Sequence, residues 1–462
     1  MVPLATSGRR PLFIGLLLAT SVGCVHYRPK PMNPVQTLAS FESRTTNDPG
    51  LRSFLAANNV HLSDPPKWDL RALTLVAFYF HPDLDEARAA AEISRGAVLT
   101  AGQRPNPQVF PALTVDTTTP PPWIPSFGLQ IPIETAGKRR LRVDEARQLQ
   151  RSAQLRIVGV AWQIRSRLRR ALVEFVAARR TEEILQRQTS LADEVAEISR
   201  RQLDAGAVTP FEAAQARLVA SNLRLASQQA ALQRAVAGIS LADALGLPSK
   251  AFDDLAPYVA AGEFEEAQVP ADSARRLALV SRVDVLAALS DYEAAQAALR
   301  LEIARQYPDI QLGPGYQLDQ KDNKWTVIGL GVTLPVFNRN KGPIAEAEAL
   351  REQRAARLLS VQSAALKQVS QAAAEWQAAR QKLATAQELL ATAQEQQMRA
   401  QTRYELGDVP RQELLTAQLE TVTVEAALAD AQRQADLAAG ALEDAMQSPL
   451  GFENLVLVNP RR

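Results

Sequence analysis

The chain is written twice, and that duplication limits its fold more than any other feature, because two equivalent halves must serve one architecture. His81-Pro82-Asp83-Leu84 aligns with Arg282-Val283-Asp284-Val285, and Pro107 with Pro308, both at an offset of 201. Gly128-Leu129-Gln130-Ile131-Pro132-Ile133 aligns with Gly331-Val332-Thr333-Leu334-Pro335-Val336 at 203. Gly206, Glu212, Ala216 and Leu218 then match Gly407, Glu413, Ala417 and Leu419 at 201 again. Residues 67–250 form a first structural repeat and 276–448 a second, with a linker at 251–275 between them and a C-terminal tail at 449–462.

Each repeat reads helix, strand, strand, long helix, helix. Pro82 to Ala101 is helical and is broken by Pro105-Asn106-Pro107. Strands are predicted at Gln108–Val115 and Trp123–Ile133, where Phe127, Leu129, Ile131 and Ile133 alternate with Ser126, Gly128, Gln130 and Pro132. That period of two gives one apolar face and one small or polar face. In the second repeat Ile310, Leu312, Tyr316 and Leu318 oppose Gln311, Gly313, Gly315 and Gln317, and Ile328, Leu330, Val332 and Leu334 oppose Gly329, Gly331 and Thr333. Long helices follow. Ile344 to Leu406 holds no glycine or proline, and Lys138 to Ala205 holds only Gly159. Ile157, Val160, Ile164, Leu168, Ala171 and Phe175 recur at coiled-coil spacing. Gly206 and Gly407 stop these helices, and Pro210 and Pro410 restart the chain.

Four strands of this length cannot close a barrel in one chain, and open edges in hydrocarbon would leave backbone groups unpaired at several kcal/mol each. Eight strands are roughly the smallest transmembrane barrel. The expected fold is therefore mainly α with a small β part. Long coiled-coil helices build an α-barrel, and the four strands must be combined between copies: three copies would give a trimeric, 12-stranded transmembrane β-barrel with no edge left.

Composition excludes other classes. Hydrophobic residues make up 46% but aromatics only 5%, the surplus being alanine and leucine, as in closely packed long helices. Against 52 basic residues stand 50 acidic ones, intermixed, which leaves no electrostatic footprint for nucleic acid. His26, His61 and His81 have no metal-ligand spacing, and a single cysteine permits no disulfide framework. No phosphate loop, nucleophile elbow or His-Glu zinc pattern is present, so no enzyme, resident metal or cofactor is expected.

The N-terminus reads as an export signal over residues 1–23: Arg9-Arg10, an apolar core from Leu12 to Ala19, and the small residues Ser21-Val22-Gly23. The apolar run is too short to span a bilayer as a helix. Ser21-Val22-Gly23-Cys24 resembles a bacterial lipobox, with Ser21 where that motif prefers leucine; the resemblance implies an acyl chain on Cys24. Residues 24–66, with Pro29, Pro31, Pro34, Pro49, Pro65 and Pro66, read as an extended tether.

Four short runs then carry a family resemblance. Ile131-Pro132-Ile133-Glu134-Thr135-Ala136-Gly137-Lys138-Arg139-Arg140 resembles the strand-to-helix signature of TolC-type outer-membrane efflux proteins, on the side of the cation-efflux (CzcC-type) branch. Leu334-Pro335-Val336-Phe337-Asn338-Arg339-Asn340-Lys341-Gly342 is similar to its second-half counterpart. Ala101 to Pro107 and Arg403-Tyr404-Glu405-Leu406-Gly407 resemble the approach to the first strand and a helix-hairpin tip. Pro132, Gly137, Pro335 and Gly342 are the signature positions.

The resemblance implies a homotrimer in outer-membrane lipid, a passive duct joined by a periplasmic adaptor (membrane fusion) protein to an inner-membrane pump of RND or ABC type. Leu203, Gly206, Arg403, Tyr404 and Gly407 are then candidate adaptor contacts, and Glu212 and Glu413 candidates for a carboxylate ring at the periplasmic mouth. Both glutamates equally fit ordinary acids at helix N-termini. A poreless coiled-coil lipoprotein acting as a periplasmic spacer or adaptor explains the helices and the lipid signal, but not paired strands in both halves. The cargo, metal cations or drugs, is not written in the sequence.

Overall fold

The computed structural model describes residues 25–61, 67–115, 117, 122–253, 255, 272, 276, 279–280, 282–319, 322–326 and 329–447. The export signal, Cys24, Ile328, most of the linker and the tail at 449–462 lie outside the described residues. The chain divides between Arg44 and Thr45 into two compact units.

The expected extended tether is corrected by two helices, α1 (Pro34–Glu42) in the first unit and α2 (Pro49–Ala57) in the second. Their prolines are helix starters: each occupies the first turn, where no backbone N–H is needed. Asn33 accepts from the Val35 N–H at 2.9 Å and Asp48 from the Leu51 N–H at 2.9 Å, so each proline follows an N-cap side chain. Helix α1 is solvent-exposed throughout, whereas α2 buries Leu51 and Leu55.

In the second unit, α3 (Leu70–Phe80) is apolar on nearly every side and is buried along most of its length. Helices α4 (Pro82–Gly102), α5 (Lys138–Asp204), α6 (Pro210–Leu245) and α7 (Ser249–Asp253) complete the first repeat, with β1 (Gln108–Val115) and β2 (Trp123–Ile133) between α4 and α5. The main core gathers α3 with Leu51 and Leu55 of α2, Ile157, Ile164, Leu168 and Phe175 of α5, and Leu241 and Leu245 of α6. The second repeat runs α8 (Val283–Ala304), β3 (Ile310–Leu312), β4 (Gly315–Asp319), β5 (Asp322–Thr326), β6 (Leu330–Val332), α9 (Lys341–Glu405) and α10 (Arg411–Met446).

At 67 and 65 residues, α5 and α9 are each about 100 Å long. On α9, Ala365, Ala372, Ala379, Ala386, Ala393 and Ala400 are all buried, one every seventh residue. A seven-residue repeat keeps one stripe facing a partner helix, and alanine lets that partner, α10, come close. Ala379 meets Ala435 and Ala438 of α10 directly.

The strands form an antiparallel meander. Strand β2 pairs with β1 on one side (Gln108↔Gln130 to Val115↔Trp123), and on the other with β3 (Ile131↔Leu312) and β4 (Phe127↔Tyr316). β3 and β4 pair outward with β6 and β5. Both expected strands of the first repeat are present, the third is split into β3 and β4 around Gly313-Pro314, and the described part of the fourth is β6, preceded by β5. β1 and the β5–β6 strand are the two edges of the sheet.

Candidate duct wall and helix-hairpin tips

The pairing register sorts the side chains by face. Val109, Leu113 and Val115 of β1 fall beside Trp123, Phe127, Leu129 and Ile131 of β2, then Ile310, Leu312 and Tyr316, then Trp325, Leu330 and Val332. The other face carries Gln108, Thr114, Ser126, Gly128, Gln130, Gln311, Gly315 and Gln317, with Phe110 and the buried Ile124 among them. A one-residue slip in any pair would mix the two sets. The apolar face is solvent-exposed in the single chain at Val109, Leu113, Phe127, Trp325 and Leu330, a patch that soluble monomers avoid.

Strand meets helix at a pinned joint. Thr135 N–H donates to Asp309 Oδ1 at 2.9 Å and its hydroxyl to the Pro308 carbonyl at 2.6 Å. The buried Lys138 ammonium donates to the Tyr307 carbonyl and to Asp309 Oδ1, both at 2.7 Å. Of the signature residues, Pro132 faces Gln311 across the sheet and Gly137 takes a left-handed φ of +69° as N-cap of α5. Pro335 lies just past β6. Gly342 differs: it sits inside the first turn of α9, and the left-handed N-cap is Asn340 at φ +58°. Asparagine tolerates that region, so the second repeat turns two residues earlier than its glycine indicates.

Both hairpin tips close alike. Gly206 (φ +71°) donates to the Leu203 carbonyl at 2.9 Å and Ala207 to the Gln202 carbonyl at 2.8 Å. Gly407 (φ +80°) donates to the Tyr404 carbonyl at 3.0 Å and Asp408 to the Arg403 carbonyl at 2.9 Å. Each pair satisfies helix-end carbonyls in a Schellman motif. The Tyr404 ring lies under the Arg411 guanidinium, 5.7 Å from its centroid.

The two candidate mouth acids are held differently. Glu212 closes a capping box with Thr209, accepting from its N–H at 2.7 Å and its hydroxyl at 2.9 Å, and these bonds hold its carboxyl below the usual range. Glu413 pairs with Arg403 at 2.9 Å. Both are exposed and both sit in first turns, as helix-terminal acids do.

A buried cation between the repeats is not legible in the sequence. Arg169 on α5 is 2% exposed and bonds Glu443, Asp444 and the Gly440 carbonyl on α10. Burial pushes the Asp444 carboxyl up. Toward the hairpin-tip ends of α5 and α10, with α9 beside them, a cavity of about 610 Å³ is lined by Leu172, Val176, Leu390, Leu428 and Asp436. Burial raises the Asp436 carboxyl to about 6. Single residues such as Arg169 carry no sequence pattern, which is why spacing could not reveal them.

No helix among the described residues is long and apolar enough to cross a membrane, a statement that does not bear on strands. Among the described residues no cluster of three or more His, Cys, Asp or Glu is placed to hold a metal ion.

Long paired helices joined to an antiparallel sheet with an exposed apolar face make up the fold. Comparison agrees: residues 274–447 match the family model "Outer membrane efflux protein". The cobalt-zinc-cadmium resistance protein CzcC of Cupriavidus metallidurans is 26% identical over 269 residues, which are 57% of this chain and 62% of that relative, so the match spans less than two thirds of the relative's length. The outer membrane protein VceC of Vibrio cholerae shares the fold with a TM-score of 0.67 at 21% identity, over 82% of this chain and 95% of that one. The CmeC outer membrane channel of Campylobacter jejuni does so with a TM-score of 0.68 at 15% identity, over 95% and 98%. The chain thus resembles the outer-membrane efflux proteins in sequence and shares the fold of the outer-membrane proteins compared.

Proposed function

We propose that this chain is one subunit of a passive trimeric duct in the bacterial outer membrane, with its long helices in the periplasm. The observation that carries this reading is the sheet: an antiparallel meander with an exposed apolar face, with β1 and β5–β6 at its edges among the described residues. Such a sheet is stable in lipid only when copies close it, and three copies give twelve strands. The duct would pass cargo delivered by an inner-membrane pump, RND or ABC, through an adaptor seated at the tips around Leu203, Gly206, Arg403, Tyr404 and Gly407. Metal cations are the favoured cargo because the relative found in Cupriavidus metallidurans is named for cobalt, zinc and cadmium resistance. An acyl chain on Cys24 would anchor the mature N-terminus in the same membrane.

The test is size and conductance of the purified protein. A trimer in detergent that opens steps of conductance in planar bilayers is expected. A monodisperse, detergent-independent monomer without conductance would favour the spacer reading instead. Palmitate labelling that survives Cys24→Ala would remove the anchor without touching the duct.

A further inference from the structure

The pinned joint inside the chain is a template for the joint between chains. We infer that the β5–β6 edge of one copy pairs with β1 of the next in the register that β2 makes with β3 and β4, and that Lys341 and Asn338 repeat there the roles of Lys138 and Thr135. The inference rests on the proposed trimer and adds the residues and register by which it closes.

The repeat supplies the mapping. Residues of β2 correspond to the β6 segment at +203, and residues of β3 and β4 correspond to β1 at −201. Applied to the observed pairs Phe127↔Tyr316, Gly128↔Gly315, Ile131↔Leu312 and Ile133↔Ile310, it gives Leu330 opposite Val115, Gly331 opposite Thr114, Leu334 opposite Pro111 and Val336 opposite Val109. Nothing in the mapping forces faces to agree, yet apolar residues fall opposite apolar ones, and Gly331 meets Thr114. These positions are open in the single chain: Leu330 is 67% exposed, Val336 63%, Val109 54% and Val115 51%. In the single chain the Val336 N–H donates back to the Leu334 carbonyl at 2.9 Å, a local bond that strand pairing would replace.

The joint follows the same mapping. Lys138, buried against the Tyr307 carbonyl and Asp309, becomes Lys341, which is exposed here, facing the Asn106 carbonyl and Gln108 of the next copy. Thr135 on the Pro308 carbonyl becomes Asn338 on the Pro107 carbonyl. Asp309 is replaced by the neutral Gln108, so the joint between copies lacks the ion pair that the internal joint has.

Leu129 donates to the Pro314 carbonyl at 2.9 Å, which marks that register position as a hydrogen-bonded pair. By alternation, Thr333 and Ala112 of the next copy oppose one another at a non-hydrogen-bonded position, where Cα atoms lie about 4.5 Å apart, within disulfide reach. The full chain carrying Thr333→Cys and Ala112→Cys, Cys24 retained, should form reducible dimers and trimers on mild oxidation in detergent. Thr333→Cys with Thr114→Cys, displaced to a diagonal of roughly 7–8 Å, should cross-link at least about tenfold less. Each single-cysteine variant reports any bond involving Cys24. Preferred bonding in the Thr114 combination would overturn the register. Bonding in neither, with the unsubstituted chain still trimeric by sizing, would overturn the interface and leave the trimer standing. A monomeric unsubstituted chain would overturn the trimer, and the interface with it.

Discussion

Gly206 and Gly407 are needed for their φ and not for their size, since a Cβ at either would meet nothing within 4 Å. Gly407→Ala forces a left-handed conformation on an L side chain and should cost ~1–2 kcal/mol. Gly96→Ala, inside the right-handed helix α4 with equal space, should be neutral or stabilising by up to ~1 kcal/mol. Thermal unfolding followed by circular dichroism separates them; equal shifts would mean that the φ argument does not govern the tip. Asp436 is a second residue whose surroundings fix a sign. Its carboxyl is raised to about 6 by burial, against an accepting bond from Gln432 that pulls the other way, with Arg180, Arg433 and Glu425 around the same cavity. Unfolded, it ionises near 4. The folded chain therefore holds the extra proton between about 4 and 6, and this group's contribution to stability falls as pH rises through that window and is flat above it. Asp436→Asn should leave the melting temperature unchanged near pH 4 and raise it above pH 6; a pH-independent difference would mean that the carboxyl titrates normally.

Between elements, the α5–α10 contact combines one buried cluster with exposed ion pairs. Arg433–Glu174 and Arg411–Glu194, each at 3.0 Å, are solvent-screened and worth at most about 1 kcal/mol apiece. Arg169 is another matter, because its removal strands carboxylates in a desolvated site. Arg169→Met should destabilise by roughly 3–5 kcal/mol. Glu443 keeps Arg165 at 2.6 Å, so Asp444 is the group left exposed to the penalty, and Asp444→Asn should restore much of the loss. A double-mutant cycle in urea measures the coupling, and additive losses would place Arg169 outside any energetic link between the repeats. The elements themselves were largely legible in the sequence. Gly206 and Gly407 bound the long helices correctly, and both strands of the first repeat begin and end where alternation placed them. Helix α3 was not legible, because a helix apolar on every side has no period to detect. The tether was misread because Pro34 and Pro49 carry opposite meanings depending on whether a capping Asn33 or Asp48 precedes them. The Lys138–Asp309 joint and the Arg169 cluster were invisible because their partners lie 171 to about 275 residues away, beyond any local spacing rule.

For the whole molecule, the mouth acids acquire meaning only when copies are combined. A trimer carries three Glu212 and three Glu413, but the structure gives them unequal weight. Arg403 offsets Glu413 within its own hairpin, whereas the described bonds of Glu212 are to uncharged Thr209 groups that keep it ionised. If the tips converge on a mouth, Glu212 supplies the net negative charge there. Glu212→Gln should then lower the cation preference of trimers in planar bilayers and weaken block by multivalent cations, because several charges around a narrow passage focus the field. Glu413→Gln alone should also lower cation preference, since it leaves the Arg403 charge unopposed as a positive ring; Arg403→Gln should raise cation preference by unmasking Glu413. All three effects should shrink at 1 M salt, where the Debye length is about 3 Å. Glutamine at 212 can still accept from the Thr209 N–H through its amide oxygen, so the capping box and the fold are kept while the charge is lost. Selectivity unchanged in Glu212→Gln and in Arg403→Gln, at low salt and in intact trimers, would leave both glutamates as helix caps and place ion preference elsewhere in the duct.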